Sequence, residues 1–291
     1  MTEASDEILV DAHLHLWDPQ RIRMSWLAEH PSLDRAIEVA DLLDGLGPDS
    51  RRLAASVLVE SAVDDDSLEA EVAWIADQLA APGPVQAAVA GWRPMAGKTA
   101  VSRRLDALQE VPGVVGLREV LHPPDRNPSD LLDDRLVASV RLAGTRGFLV
   151  ELCVRPDQLD SARELMDRAP ETTFVLDHLG RPRTDRPLDP DWVESMARLA
   201  DRPGLSTKMS ALIECAEGSP WSVQTLHPFV SVAIDRFGTD RVMWGSNWPV
   251  CFIDGPLPGW IEATDRLLAG LPAPGRAAIL GDNARRIYGI S

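Results

Sequence analysis

The alternation of short apolar runs with longer helical patterns restricts the fold of this sequence more than any other feature. Eight runs are short and rich in apolar or β-branched residues, as buried strands are. They occupy residues 8–15, 54–61, 85–92, 114–121, 147–154, 173–179, 205–210 and 242–247. Between them, apolar residues recur at spacings of three and four, for example over residues 68–79 and 131–142. This spacing predicts helices that pack one face against a sheet.

Eight strands with intervening helices in 291 residues match the repeat of a (β/α)8 TIM barrel, an α/β fold. An open, doubly wound sheet is the alternative, because it also alternates strands and helices. Neither a GxGxxG motif nor a P-loop follows the first run, which weakens the nucleotide-binding form of that alternative. No linker, low-complexity segment or internal repeat interrupts the rhythm. We therefore predict a single TIM-barrel domain over residues 1–291.

Charge and cysteine content narrow the function classes. The chain has 45 acidic and 29 basic residues, a net charge of −16, and no basic run. Its surface therefore repels nucleic-acid phosphates and anionic lipid headgroups. No apolar stretch approaches the length of a membrane-spanning helix, and the three cysteines form no CxxC motif. We predict a cytoplasmic protein that acts on a small molecule and binds neither nucleic acid nor membrane; a homo-oligomer is compatible with this composition.

Two histidines close the first run, in the sequence VDAHLH. His13 and His15 are two positions apart, so on an extended strand both imidazoles point to the same face. Two neutral imidazoles that converge on one point suit a divalent metal such as zinc. A hydrogen-bonded histidine pair without a metal is the alternative.

Polar residues also close two later runs. Asp177 and His178 end the sixth run, where burial without partners is costly. Either His178 joins the histidines of the first run as a ligand or acid–base group, with Asp177 orienting it, or the two residues cap the following loop. The eighth run ends in WGSNWP, in which Asn247 precedes Trp248. Its glycine and proline predict a sharply defined turn, and taken alone this segment is a structural turn.

Charged residues mark the ends of five runs: Glu60, Arg93, Arg118, Glu151 and Lys208. Arg118 is the most informative of them, because a guanidinium does not lose its proton on burial. It requires an anion or a carbonyl group as its partner. One class of partner is Glu119 or Glu151, and the other is a substrate carboxylate or lactone carbonyl. Lys208 is open to the same two interpretations.

Tryptophan is unusually frequent, with nine residues against one tyrosine. Trp17, Trp92 and Trp248 fall just after predicted strand ends. In a barrel these positions border the site, so the three rings are predicted to wall a pocket for a flat or ring-shaped ligand. For the other tryptophans, filling of the core is the default interpretation.

The motifs VDAHLHLWDP, GVVGLREVL, LCVRPDQL, FVLDHLGRP, KMSAL, RVMWGSNWPVC and GDNARRIYGI, taken in this order, carry a family resemblance. The chain resembles the amidohydrolase superfamily, and specifically the amidohydrolase-2 group, in the branch with sugar-lactone and pyrone-dicarboxylate lactonases. The match extends over nearly the full length. It implies a distorted TIM barrel with its active site at the C-terminal ends of the strands.

The resemblance also implies roles for individual residues. His13 and His15 match the metal-ligand pair of the first strand, and His178 matches the sixth-strand histidine near the reacting carbonyl and the metal. Arg118 is similar to a substrate-orienting arginine. One divalent metal, zinc or manganese, is the implied cofactor, and lactonases of the family that work without a metal provide the alternative. Substrate contacts are expected from Trp17, Glu60, Trp92, Arg118, Glu151, Lys208 and Trp248.

Asn247 is the main departure from the family pattern, since hydrolytic members carry aspartate there, in a GSDWP motif. An amide is neither basic nor anionic, so it cannot deprotonate the attacking water. Asn247 therefore predicts weaker metal binding, a base elsewhere (His178, Glu60 or Glu151), or a reaction other than hydrolysis. Our leading hypothesis is a hydrolase that opens a small sugar-acid or muconate-type lactone, with His178, Asn247 and Arg118 at the reacting group. The alternatives are a lyase, decarboxylase or isomerase of the same superfamily, and a catalytically retired barrel that binds a ligand.

Overall fold

The computed structural model describes residues 7–253 and 255–291 of the chain. Its strands are parallel and follow one another in chain order around one eight-stranded sheet. They are β1 (Leu9–Leu14), β2 (Leu53–Val59), β3 (Val85–Gly91), β4 (Val114–Val120), β5 (Leu149–Cys153), β6 (Phe174–Leu176), β7 (Ser206–Met209) and β8 (Val242–Trp244). Each overlaps one of the predicted runs, and the prediction of a single (β/α)8 TIM barrel is confirmed.

The first and last strands meet and close the barrel. Leu14 and Trp248 form a parallel bridge, and the backbone N–H of His15 donates to the carbonyl of Trp248 at 2.8 Å. The N–H of Asn247 donates to the carbonyl of His13 at 2.9 Å. A doubly wound sheet has two open edges and a strand order that reverses. The doubly wound alternative is therefore wrong.

Helices separate successive strands on the outside of the barrel. They are α1 (Val39–Leu46), α2 (Leu68–Ala80), α3 (Lys98–Gln109), α4 (Asp134–Thr145), α5 (Leu159–Arg168), α6 (Pro190–Ala200), α7 (Val223–Phe237), α8 (Leu257–Leu268), α9 (Ala273–Ala277) and α10 (Asn283–Tyr288). Within the described ranges, every helix is too short or too polar to traverse a lipid bilayer.

The two predicted helical patterns have different outcomes. The pattern at 68–79 falls within α2. The pattern at 131–142 is divided between a 3-10 helix, Pro128–Leu132, and α4. The division has a local cause, because Asp133 is the N-cap of α4 and its side chain accepts the N–H of Arg135 at 2.8 Å. The apolar spacing runs through this break and does not reveal it.

The apolar core has two parts. A small inner cluster includes Val10, Val57, Val89 and Val175, together with Tyr288 from α10. It is formed by side chains from most of the strands and fills part of the barrel interior. A larger outer cluster, which holds most of the buried tryptophans, lies between strands and helices. Polar residues fill the other end of the barrel interior, and parallel strands direct their C-terminal ends to that end.

Strands β6 and β8 end earlier than the sequence pattern indicates. The prediction extends the sixth strand to residue 179, but Asp177–Gly180 form a 3-10 turn in which His178 and Leu179 have φ of 55° and 52°. The prediction extends the eighth strand to residue 247, but Asn247 has φ of 53°. A left-handed backbone cannot continue a strand, and it turns these side chains out of the strand's alternation. These segments position two candidate site residues, His178 and Asn247.

Candidate active site

A cavity of about 670 Å³ opens at the C-terminal ends of the strands. The strand ends and the loops after them all contribute to its lining: His15, Glu60, Arg93, Arg118, Cys153, His178, Glu214 and Asn247. In a TIM barrel this end is the one that holds reactive groups. The cavity is large enough for a small organic molecule.

A buried group of charges lies below the cavity. Lys208 extends from β7 and places its Nζ 2.6 Å from Glu151 Oε2 and 3.1 Å from Asp177 Oδ1. Tyr288 donates its hydroxyl to Glu151 Oε1 at 2.6 Å. Burial, together with the charge of Asp177, raises the pKa of Glu151 to about 7. For Asp177, burial alone raises the pKa, but the adjacent Lys208 ammonium together with His13 and His178 outweighs burial and holds the pKa well below its usual range. Asp177 is therefore the permanent anion of this group.

Three imidazoles meet above these charges. His13 Nε2 and His15 Nε2 are 3.2 Å apart, and the rings of His13 and His178 have centroids 4.5 Å apart. Burial lowers the pKa of His15 to about 3 and the pKa of His13 and His178 well below the ordinary range. All three rings are neutral at neutral pH. A neutral imidazole can bind a metal or accept a proton.

Arg118 crosses from β4 to this cluster. Its Nε donates to Glu60 Oε1 at 2.6 Å, and its Nη2 donates to the backbone carbonyl of Glu60 at 2.7 Å. Its Nη1 lies 3.0 Å from His13 Nε2. Burial alone lowers the pKa of Arg118, but the negative charges around it, of which the Glu60 carboxylate contributes most and Asp177 next, together raise the pKa above its ordinary value. Glu60 is thus the main partner of Arg118, whereas the sequence suggested Glu119 or Glu151.

The ends of β6, β7 and β8 supply the other side of the cavity. His178 Nδ1 lies 2.7 Å from the hydroxyl of Ser210. Asn247 donates its side-chain N–H to Glu214 Oε1 at 2.6 Å. Glu214 follows β7 in the short helix Glu214–Ala216 and was missed by the sequence analysis. Its signal was the acidic residue in KMSALIE, which lies five residues beyond β7 and so outside a search confined to strand ends.

The donor atoms of the cluster fit a divalent metal. His15 Nδ1 lies 3.0 Å from the carbonyl of Val59, which only accepts, so His15 carries its proton there and keeps a lone pair on Nε2. His13, Asp177 and His178 offer ligand atoms that all lie within 4.8 Å of one another. Asp177 Oδ1 is buried without a hydrogen bond, although the Lys208 ammonium is 3.1 Å away. Imidazole nitrogen and carboxylate oxygen are ligands that zinc accepts.

Two cations compete for the same atoms. Arg118 Nη1 and Lys208 Nζ each lie 3.0 Å from a ring nitrogen of His13, on opposite sides of the ring. Both groups only donate, and a neutral imidazole accepts at one nitrogen alone. The cluster therefore already contains positive charge that can stabilise a substrate oxygen. This arrangement keeps the metal-independent alternative open.

The predicted tryptophans occupy different places. Trp17 lines the cavity, and its ring packs edge to face on Trp26, which also lines it. Trp92 instead borders a separate surface groove beside α3. Trp248 packs on Phe252, with ring centroids 4.3 Å apart, beneath α1. Trp92 and Trp248 lie outside the cavity because their side chains point toward the helical layer. Lys208, Glu151 and His13 are enclosed below it rather than exposed in it.

The chain belongs to the amidohydrolase family, whose model matches residues 10–290. The L-fucono-1,5-lactonase of Burkholderia ambifaria is 28% identical, with 97% of this chain and 95% of that protein aligned. The uncharacterized protein y4mH of Sinorhizobium fredii is 24% identical over 98% of this chain and all of its own length (100%). An amidohydrolase from Burkholderia multivorans, crystallised with bound zinc, has a TM-score of 0.85 at 24% identity and covers 98% of this chain and 100% of its own. The family resemblance identified from the motifs is confirmed.

Proposed function

We propose that this protein hydrolyses a small lactone, of the sugar-acid or muconate type. The observation that carries the proposal is the position of Arg118, which Glu60 fixes at two nitrogens while the third points to the histidine cluster at the cavity. A lactone carbonyl gains negative charge on its oxygen when water attacks, and a guanidinium fixed in advance stabilises that charge. The lactonase activity named for the relative from Burkholderia ambifaria supports the same substrate class.

His178 is proposed to act beside the carbonyl. It lines the cavity and is neutral at neutral pH, so it can exchange a proton with the reacting groups. Its Nδ1 contact with Ser210 fixes the plane of the ring. Asn247 lines the same cavity, where its amide donates to Glu214 and takes no proton itself. Trp17, on the cavity wall, is proposed to contact the substrate ring.

A divalent metal, zinc or manganese, is proposed to be held by His13, His15 and His178, with Asp177 as an additional ligand. When bound, such an ion polarises the carbonyl or acidifies a water molecule. The proposal draws on the convergence of His13, Asp177 and His178 and on the buried oxygen of Asp177. The predicted cytoplasmic location and homo-oligomeric state stay predictions from the sequence.

The test is proton release from a panel of γ- and δ-lactones, followed in weakly buffered solution with the purified chain. We expect turnover of at least one lactone and a loss of about 100-fold or more in kcat for His178→Ala, in line with removal of an acid–base group. His227→Ala is the matched control, because His227 is an exposed histidine on α7, remote from the cavity. Turnover that is equal in both variants contradicts the role of His178.

A lyase or decarboxylase is the second candidate, and one observation favours it. Residue 247 has an amide where a hydrolase of this family carries a carboxylate, and proton donation by His178 suffices for such a reaction. Carbon dioxide release from carboxylated ring compounds, without any lactone turnover, supports this candidate. If neither reaction occurs but a ligand shifts the melting temperature, the barrel is a binding protein.

A further inference from the structure

Asn247 and Glu214 form a close pair at the wall of the cavity. The side-chain N–H of Asn247 lies 2.6 Å from Glu214 Oε1, and both residues line the cavity. The amide nitrogen only donates, so the Glu214 oxygen is the acceptor. Asn247 is itself fixed, because its backbone N–H donates to His13 and its carbonyl accepts from Cys251 at 3.0 Å. An immobile amide therefore holds one oxygen of the Glu214 carboxylate in place.

Strand β8 supplies no carboxylate to this cavity, but the pair places one beside the β8 position. We propose that Glu214 is the general base of the reaction and that Asn247 is its positioning residue. The carboxylate that hydrolysis requires then comes from the loop after β7, and the amide takes the place of the expected aspartate. This inference rests on the proposed lactone hydrolysis.

Three further carboxylates of the cavity wall are hydrogen-bonded by guanidinium groups. Glu60 accepts from Arg118 at 2.6 Å, Glu119 accepts from Arg126 at 2.8 Å, and Asp65 accepts from Arg93 at 2.6 Å. An ion pair of this kind stabilises the anion and makes it a weaker base. Glu151, another base considered from the sequence, is enclosed below the cavity by Lys208 and Tyr288. Water bound in the cavity cannot reach it.

In the proposed reaction, Glu214 takes a proton from the attacking water and returns it to the leaving oxygen. The water oxygen forms a bond to the lactone carbonyl carbon, and its proton passes to the Glu214 carboxylate. When the tetrahedral intermediate collapses, the bond between that carbon and the ring oxygen breaks, and the ring oxygen takes the proton back. The product is a hydroxy acid, which releases one proton to neutral solution. Arg181 and Cys251, from neighbouring loops, both interact electrostatically with Glu214.

The test compares Glu214→Gln with Glu217→Gln, a control that removes an exposed carboxylate three residues along the same loop. We expect Glu214→Gln to lower kcat by about 100-fold or more with KM changed by less than about threefold, because a base acts in the transition state. We also expect the fall of kcat at acidic pH, seen in the wild type, to be absent from Glu214→Gln. Glu217→Gln retains wild-type activity. Melting temperatures confirm that both variants fold.

A second test exchanges the carboxylate and the amide between positions 214 and 247. Asn247→Asp alone sets two carboxylates side by side, so we expect the acidic limb to move to higher pH. The double variant Glu214→Gln, Asn247→Asp restores one amide and one carboxylate, and we expect it to regain about tenfold in kcat over Glu214→Gln. If Glu214→Gln is as active as the wild type while the wild type opens lactones, the inference is wrong and the proposed function stands. A wild type that opens no lactone overturns both.

Discussion

Glu60 receives two hydrogen bonds from Arg118, one at its carboxylate (2.6 Å) and one at its backbone carbonyl (2.7 Å). The two contacts fix the plane of the guanidinium and leave Nη1 directed to His13. Both side chains are nearly inaccessible, with exposed fractions of 2% and 4%. A buried ion pair of this geometry is expensive to break, because the remaining charge loses its partner. The Glu60–Arg118 pair therefore contributes both to the stability of the barrel and to the orientation of Arg118 Nη1.

Replacement of Arg118 by lysine separates these two effects. Lysine keeps the charge near Glu60 but cannot donate in three fixed directions. We expect Arg118→Lys to lose about 30- to 200-fold in kcat/KM on a lactone substrate, the equivalent of one charge-assisted hydrogen bond of about 2–3 kcal/mol. The melting temperature measures the structural part, and Arg118→Ala is expected to lower it much further. Equal activity in Arg118→Lys and the wild type contradicts the proposed role.

The pair of Lys208 and Glu151 is expected to be structural. Lys208→Met leaves Glu151 and Asp177 without their ammonium, so we expect a loss of about 3–5 kcal/mol in the free energy of unfolding. Glu151→Gln keeps an acceptor for Tyr288, and the double variant is expected to lose less than the sum of the single variants. Urea denaturation of the wild type, the two single variants and the double variant measures this double-mutant cycle. Additive losses contradict a direct interaction.

Glu71 makes the stability depend on pH. It is buried on α2, its Oε1 accepts the N–H of Ser61 at 2.7 Å, and burial together with the charge of Glu60 raises its pKa from 4.5 to about 7. Between these two values the folded chain keeps a proton that the unfolded chain loses, so this group lowers stability as pH rises through that interval. Above about 7 its contribution changes no further.

Glu71→Gln removes this dependence, because glutamine retains an acceptor for Ser61 and does not ionise. We expect the variant to be about 1–3 kcal/mol more stable than the wild type at pH 8 and nearly equal to it at pH 5. Glu69→Gln is the control, since Glu69 is 81% exposed on the same helix. Thermal melts at the two pH values measure the effect. A stability difference that is the same at both contradicts the raised pKa.

Metal analysis tests the donor cluster. We expect about one zinc or manganese per chain when the protein is purified without added metal or a histidine tag, because the cluster offers imidazole and carboxylate ligands. Asp177→Asn is expected to reduce the metal content, and a chelator is expected to reduce activity that the metal then restores. Lactone turnover without metal, unchanged by the chelator, instead supports catalysis by Arg118 in place of an ion.

The tryptophans give a test of substrate contact. Trp26 is half-buried at the cavity and donates its indole N–H to the carbonyl of Ser61 at 3.0 Å. We expect Trp26→Ala to raise KM by about tenfold, since an aromatic wall contributes about 1 kcal/mol or more to binding a ring. Trp92→Phe is expected to leave KM unchanged, because Trp92 lies outside the cavity. Initial rates over a range of lactone concentrations compare the two variants. A rise in KM for Trp92→Phe contradicts this placement.

The fold was predictable because parallel barrel strands are buried on both faces and produce continuous apolar runs. The approach of His13 to His15 follows from the period of two along a strand. The strands and the pairing of the two histidines both follow from the spacing of neighbouring residues, which can be read directly from the sequence. The break before α4 was harder to see, because the apolar spacing continues through the capping residue Asp133.

The contacts across the site depend on distances along the chain that no local pattern encodes. Glu214 and Asn247 are 33 positions apart and meet only because two loops bend over the same edge of the barrel. Arg118 and Glu60 are 58 positions apart, and the nearer acids Glu119 and Glu151 were the obvious partners in the sequence. The left-handed turn at His178 likewise depends on its tertiary surroundings, which override the strand pattern.

The contact between β1 and β8 that closes the barrel has a consequence for folding during translation. His13 and His15 are synthesised well before residues 247 and 248, at which the carbonyl of His13 and the N–H of His15 find their partners. Contacts so distant along the chain form late and slowly in folding. A nascent chain halted before β8 therefore presents the histidines without the wall that encloses them. Docking of β8, closure of the barrel and assembly of the site are then expected to coincide, so the proposed activity would report that β8 has docked.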